Sequence, residues 1–343
     1  MDRSGLIMVK AEPFNAETPL EALRERLTPT PLHYVRSNFP LPDHDGILRI
    51  EGAVGAPLAV SVDDLRQMPG ATLAVTMECA GNGRMTMQPL PTGEPWAGTA
   101  VGTAAWTGVS LAAILQQAQP SADAIEIAFY GADHGSYKGG PEVHFGRSLS
   151  LQMATDPASN VLLAYDMNGE TLPADHGGPI RLLVPGWYGM ASVKWLDRIE
   201  VRTEPFDGPY QVRSYVYEWK ERPPEPVTSS RVRALITEPA AGDTISPGNH
   251  VIYGRAWAGA TPITSVEVST DGGGEWLLAD VEPAIGPYAW CRWSFPWAVG
   301  GAGRRVIRSR ATDANGQTQP DAPEWNRQGY GNNAVLPVVI DVR

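Results

Sequence analysis

The sequence predicts an α+β amino-terminal domain followed by an all-β, immunoglobulin-like sandwich. Three observations carry this expectation: a length of 343 residues, a content of 36 Gly and 31 Pro, and a proline-rich break close to residue 225. The length exceeds what one core usually supports, so two domains are expected. Gly and Pro together make up about a fifth of the chain, and charged residues only 19%. That balance favours strands joined by turns over helical bundles or coiled coils. With 43% hydrophobic residues and 11 Trp, a sizeable core can form, which excludes global disorder.

The break is Glu221-Arg-Pro-Pro-Glu-Pro-Val227, whose prolines cannot continue a helix or a central strand. It divides the chain into 1–225 and 226–343. Upstream, Ser61-Val-Asp-Asp64 reads as a capping box that opens a short helix stopping at Met68-Pro69-Gly70. Ser110-Leu-Ala-Ala-Ile-Leu-Gln-Gln117 is a second helix, closed by Pro120. Strand-like runs at 71–78, 124–130, 180–184 and 199–201 lack the alternating βαβ rhythm of a parallel sheet. Downstream, short strands recur at 232–236, 250–257, 263–269, 289–295, 305–312 and 335–342. Within them Ser265-Val-Glu-Val-Ser269 alternates polar and apolar residues, and Asp271-Gly-Gly-Gly274 follows as a turn. This spacing suits a sandwich.

A net charge of −11 argues against a protein that coats nucleic acid. The charge-free stretch Pro95–Ala122 is long enough to span a bilayer, but its Gly, Thr, Gln and Pro residues read as core strands and one helix. No membrane partner is expected. Near the amino terminus the apolar run Leu6-Ile7-Met8-Val9 is too short for a signal segment. A cytoplasmic location is therefore expected, or a periplasmic one if the chain is a processed form. Cys79 and Cys291 lie too far apart to suggest a disulfide framework or a zinc ribbon. No Walker or Rossmann glycine pattern and no HExxH pair occurs.

In Met77-Glu-Cys-Ala-Gly-Asn-Gly-Arg84 a strand ends at a cysteine, and two glycines allow close backbone approach on a loop that carries Arg84. A guanidinium beside the thiol favours the thiolate, the form that ligates metals. A buried, inert cysteine in a strand-end turn reads equally well. His176, Arg181 and Lys194 are separated by Gly-rich turns and suit a cradle for a phosphate-bearing cofactor, or else three solvated surface positions. Arg36 lies in Tyr34-Val-Arg-Ser-Asn-Phe-Pro-Leu-Pro42, an extended segment held by two prolines.

Taken together, these segments resemble the sulfite oxidase family of molybdenum enzymes, from about Tyr34 to Val342. The resemblance is carried by ECAGNGR (78–84), LLAYDMNGETLPADHGGPIRLLVPG (162–186), SVKWL (192–196) and EWNRQGYGNNA (324–334). It implies a molybdopterin-binding domain of the sulfite oxidase fold in which Cys79 is the protein ligand of one molybdenum. A soft thiolate suits a metal already bound by sulfur. The implied cofactor contacts are Tyr34, Val35, Arg36, Ser37, Asn38, Asp133, His176, Arg181, Ser192, Val193 and Lys194. The implied substrate pocket is Arg36, Arg84, Trp96 and Tyr215, whose two guanidiniums hold a small oxyanion such as sulfite. The implied reaction is oxygen-atom transfer to give sulfate, with electrons leaving to an external acceptor such as a cytochrome c.

Two positions depart from the family pattern. Asn38 stands where vertebrate and plant members have His, and Gln328 where they have Arg; the adjacent Arg327 is the expected substitute. These departures keep reduction of nitrate or an S-oxide as an alternative, with a non-catalytic two-domain binding protein as a remoter one. No His-Pro-Gly-Gly motif occurs, so no haem is expected. The second domain is implied to be a homodimerisation module. At least half of its tryptophans, at 257, 276, 290, 293, 297 and 325, are expected in its own core, with Cys291 structural.

Overall fold

Two five-stranded sheets frame the first domain. In one, Gly70–Glu78 pairs antiparallel with Val101–Ser110, which pairs antiparallel with Leu162–Met167. Arg181–Leu183 and Glu170–Thr171 complete it. The other runs Leu58–Ser61, Ile47–Gly52, Leu196–Arg202, Glu126–Ser136, Glu142–Ser150, with Leu196–Arg202 parallel to Ile47–Gly52 and antiparallel to Glu126–Ser136. This computed structural model describes residues 2–343. Among them, no helix is long and apolar enough to cross a membrane.

Local signals place the two helices expected from sequence. Ser61 caps Val62–Gln67 by a reciprocal pair of bonds, Asp64 N to Ser61 Oγ at 3.1 Å and Ser61 N to Asp64 Oδ2 at 2.9 Å. Leu111–Ala118 buries Leu111, Ile114, Leu115 and Ala118 at helical spacing and ends at Gln119, before Pro120. Glu142–Ser150 carries no clear alternation, because Gly146, Arg147 and Ser148 interrupt its apolar run; it forms by pairing with Glu126–Ser136. Between the sheets lie Leu48, Ile127, Phe129, Leu163, Leu196 and Ile199, all fully buried. Each contributes about 1.5–3 kcal/mol of burial.

The second domain is the expected sandwich. Arg233–Glu238, Gly248–Trp257, Cys291–Val299 and Asp280–Val281 form one sheet. Thr244–Ile245, Val338–Val342, Gly303–Asp313, Ile263–Ser269 and Leu277–Leu278 form the other. Ile252, Val266, Trp293, Ile307 and Ile340 pack between them. Cys291 is buried there, and its thiol, pushed up to about 11 by burial, donates to the Ala256 carbonyl at 3.4 Å.

The proline-rich break is not a free tether. Glu225–Pro226 pairs with Val216–Tyr217, a two-residue ladder that tolerates the proline a central strand excludes. Trp293 and Trp297 belong to the sandwich core, whereas Trp257 and Trp290 pack against Leu23 and Val101 of the first domain. The junction is therefore apolar as well as hydrogen-bonded: Thr76 N donates to Tyr288 O at 2.9 Å and Trp290 N to Thr76 Oγ1 at 2.7 Å. Trp276 and Trp325 are half-buried.

Candidate active site

Cys79 follows directly on Gly70–Glu78, and the chain then turns tightly. Asn82 N donates to Cys79 O at 2.9 Å and Arg84 N to Gly81 O at 3.1 Å. Gly83 has φ +76°, and a Cβ on Gly81 would overlap the Arg84 guanidinium, so the two glycines allow Arg84 to fold back across its own loop. The carboxy-terminal segment holds this loop from outside. Gly331 N donates to Ala80 O at 2.8 Å, Asn332 Nδ2 to Gly83 O at 2.7 Å, and Arg84 Nε to Gln328 O at 3.0 Å. Beside Cys79, the buried Glu78 carboxylate accepts from Asn82 Nδ2, Arg233 and Trp257 Nε1, each at 2.9 Å.

Two adjoining cavities meet at this loop. Arg36, Asn38, Cys79 and Tyr215 line both. Tyr34, Ser37, Asp133, His176, Arg181, Ser192 and Lys194 also face the inner one. Arg84, Trp96, Gln328 and Tyr330 face the outer one. Residues from distant parts of the chain are thus brought to one place.

Three expected residues are not. Val35 packs with Leu6 and Ala16, and its N–H and C=O are both bonded to Ala16, at 2.9 and 3.0 Å. Val193 lies in the main core, with its carbonyl accepting from Leu182 N at 2.9 Å. Neither side chain lines either cavity, and the backbone N–H of each is already bonded within the protein. Arg327 points to solvent and pairs with Glu218 at 2.9 Å, so it does not replace the missing pocket arginine. Gln328 occupies the inward position instead, its Nε2 donating to Arg213 O at 3.1 Å and Glu218 Oε1 at 2.9 Å. Arg327 and Gln328 are the central residues of a turn closed by Gly329 N donating to Asn326 O at 3.0 Å, and the turn leaves Arg327 exposed and Gln328 buried.

The electrostatics of the inner cavity are one-sided. Arg181 directs its donors to Ser192 O at 3.2 Å, His176 O at 2.8 Å and Met77 Sδ at 2.9 Å. Lys194 donates to Ser37 Oγ at 2.8 Å and Asp175 O at 3.1 Å. Arg36 donates to Asn38 Oδ1 at 2.7 Å. All these acceptors are neutral. Of the two carboxylates that line this cavity, Asp175 is paired with Arg3 and Asp133 acts on Lys194. Burial pulls Arg181 down to about 10 and Lys194 well below its ordinary value. Burial also keeps His176 neutral, and its Nε2 donates to Thr30 O at 2.8 Å.

His33 was not legible as a site residue. It is buried against His176, with ring centres 5.3 Å apart, burial holds it near 4, and its Nε2 has no partner. Nothing in its sequence neighbourhood distinguishes it from a core histidine; only the cavity does. Cys79 also differs from expectation. Burial is the dominant influence and pushes its thiol up, with Arg36 and Arg84 opposing. Arg84 directs its donors to the carbonyls of Gln328 and Glu94.

Asp133 yields a pH prediction. Burial raises its carboxyl from 3.8 to about 7, against the pull of Lys194. The unfolded chain ionises this group near its ordinary value while the folded chain keeps the proton, so stability falls as pH rises through that window. In cofactor-free protein, the stability gained by Asp133→Asn is expected to be larger at about pH 8 than at about pH 5, by on the order of 2 kcal/mol. Urea unfolding at the two pH values measures it. An equal difference at both would mean that the carboxylate is ionised in the fold throughout.

Comparison with known proteins places this geometry. Residues 38–210 match the oxidoreductase molybdopterin binding domain, and residues 225–343 match the Mo-co oxidoreductase dimerisation domain. Mitochondrial sulfite oxidase of Homo sapiens is 36% identical over 94% of this chain and 63% of its own length. Sulfite oxidase of Gallus gallus is 35% identical over 96% of this chain and 76% of its own.

The chain belongs to the sulfite oxidase family.

Other relatives show the family's breadth. NADH nitrate reductase of Lotus japonicus is 34% identical over 96% of this chain and 41% of its own length. The sulfane dehydrogenase SoxCD of Paracoccus pantotrophus superposes with a TM-score of 0.84 at 27% identity, covering 97% of this chain and 88% of that one. The sulfite oxidase family chain described here spans 63% of the length of the human relative.

Proposed function

We propose that this sulfite oxidase family member oxidises sulfite to sulfate at a molybdenum held by Cys79. The observation that carries the reading is the convergence of one thiol and two guanidiniums, Cys79, Arg36 and Arg84, on the outer cavity. The inner cavity fits a phosphorylated pterin by the chemistry of its donors. Its cations face neutral acceptors, and His33 Nε2 is a buried polar atom without a partner. Buried cations without a counter-charge are expensive, and an anionic ligand supplies one, while His33 Nε2, left as an acceptor because Nδ1 donates to Tyr34 O at 3.2 Å, suits a ligand N–H.

Tyr34, Ser37, Asp133, His176, Arg181, Ser192 and Lys194 would hold the pterin and its phosphate, and Cys79 the metal. When bound, this group supplies the oxygen atom and accepts the two electrons of the oxidation. The protein's own residues do the rest. Arg36 and Arg84 bind the sulfite oxyanion and fix its orientation. Asn38 steadies Arg36 through its Oδ1 and lies 3.4 Å from the Tyr215 hydroxyl through its Nδ2. Trp96, fully buried, walls the pocket against water. An external acceptor takes the electrons. The matches to two successive domains support a boundary at 225/226 and a homodimer formed through the second.

Sulfite-dependent ferricyanide reduction, expressed per molybdenum atom, tests the proposal. Turnover of roughly 1–1000 per second is expected. Holoenzyme that contains molybdenum and does not turn over sulfite overturns it. A second reading, reduction of nitrate or an S-oxide, is favoured by the neutral amides of Asn38 and Gln328 in the pocket wall. Viologen-linked assays with those substrates distinguish the two.

A further inference from the structure

We infer that Arg147 is a positioning residue of the oxyanion pocket, supplying through Tyr215 the positive charge that Gln328 does not. The choice of sulfite as substrate rests on the reading above; the anion pocket itself is tested independently of it.

Arg147 lies on Glu142–Ser150, two residues beyond Phe145, whose side chain lines the inner cavity. Strand alternation puts both on the same face. Arg147 is only 2% exposed. It donates to the Tyr210 carbonyl, and its Nε has no partner. Its guanidinium carbon sits 5.7 Å from the centre of the Tyr215 ring. Tyr215 in turn stacks on Tyr330 at 5.3 Å, and both tyrosines face the outer cavity. Burial lowers Arg147 to about 10, which leaves it cationic at neutral pH, and the titratable groups acting on it are Tyr215 and Tyr330.

A buried cation facing tyrosines and a carbonyl is costly in isolation. Beside an anion site it becomes useful, because its field reaches the anion across one aromatic ring in a low-dielectric wall. Its face against Tyr215 also holds that ring in place. Arg327, by contrast, is turned to solvent and paired, so its charge is screened.

The test compares holoenzyme carrying Arg147→Gln and Arg147→Lys with the parent. The readouts are sulfite KM and kcat, and the Kd of sulfate measured by calorimetry without turnover. For Arg147→Gln, KM and the sulfate Kd are expected to rise roughly tenfold, the size expected for one charge acting across a ring at an effective dielectric of about 20, with kcat within about twofold. Arg147→Lys is expected to keep anion affinity within about threefold. Unchanged sulfate affinity in Arg147→Gln overturns the inference. So does an equal loss in both variants, which would show a packing role, or a fall in kcat at constant KM. Should Arg147→Gln not fold, Arg147→Met is judged by the same criteria. If the parent does not oxidise sulfite, the proposed function fails, while the sulfate arm still decides the role of Arg147.

Discussion

Turnover per molybdenum is expected to fall by more than a hundredfold in a Cys79→Ser variant that remains folded. Serine differs from cysteine by one atom, and the backbone at this position is anchored without the side chain. Cys79 N donates to Ala100 O at 2.9 Å, and Cys79 O accepts from Asn82 N at 2.9 Å. The fold should therefore survive, as circular dichroism and thermal unfolding would show. The chemistry should not, because a hydroxyl is a harder ligand and a far weaker acid than a thiol and does not match a metal bound by sulfur. Molybdenum content separates loss of the cofactor from loss of reactivity. Full activity in the variant would remove Cys79 from the metal's ligands.

Arg233→Met is expected to destabilise the protein by about 3–5 kcal/mol, the usual effect of stranding one member of a buried ion pair. Arg233 and Glu78 are each 2% exposed in their side chains and bond at 2.9 Å. Arg233 also donates to Asn332 O at 3.0 Å, so its loss leaves a carbonyl short of this donor and a carboxylate without its counter-charge inside the junction of the two domains. Adding Glu78→Gln to Arg233→Met removes the stranded charge and keeps an acceptor for Trp257. The double variant is therefore expected to regain much of the loss. Urea unfolding followed by tryptophan fluorescence measures both. An equal loss in the single and double variants would mean that packing, not charge, holds the junction. Because Glu78 adjoins Cys79 directly, this pair ties the second domain to the loop that carries the proposed metal ligand.

How far the site was legible follows from the kind of signal each residue leaves. Cys79 and Arg84 sit in one short, Gly-containing motif, and the conformation that brings them together is encoded by the glycines between them. His176, Arg181 and Lys194 were readable as a cradle from the Gly-rich turns between them, Trp96 and Asp133 only through resemblance, and the fold brings each to a cavity wall. Val35 and Val193 were likewise implied as cofactor contacts by the resemblance. Their own hydrogen bonds, made within the sheet and core, show them to be structural. His33 and Arg147 come from segments of ordinary composition and were invisible as site residues, and Tyr330, although inside the 324–334 motif, was not singled out there.

The sequence by itself determined the two-part architecture, the capping box of one helix and the end of the other, most sandwich strands and the identity of the cysteine loop. All of these depend on interactions within a few residues: a capping box, a proline stop, a period of two. Only the tertiary structure decided that Gln328 faces inward and Arg327 outward, that burial outweighs nearby arginines at Cys79, and that Glu78 is clasped by Arg233 and Trp257. Those outcomes depend on desolvation and on partners more than a hundred residues away, and neither is a property of a local stretch of chain.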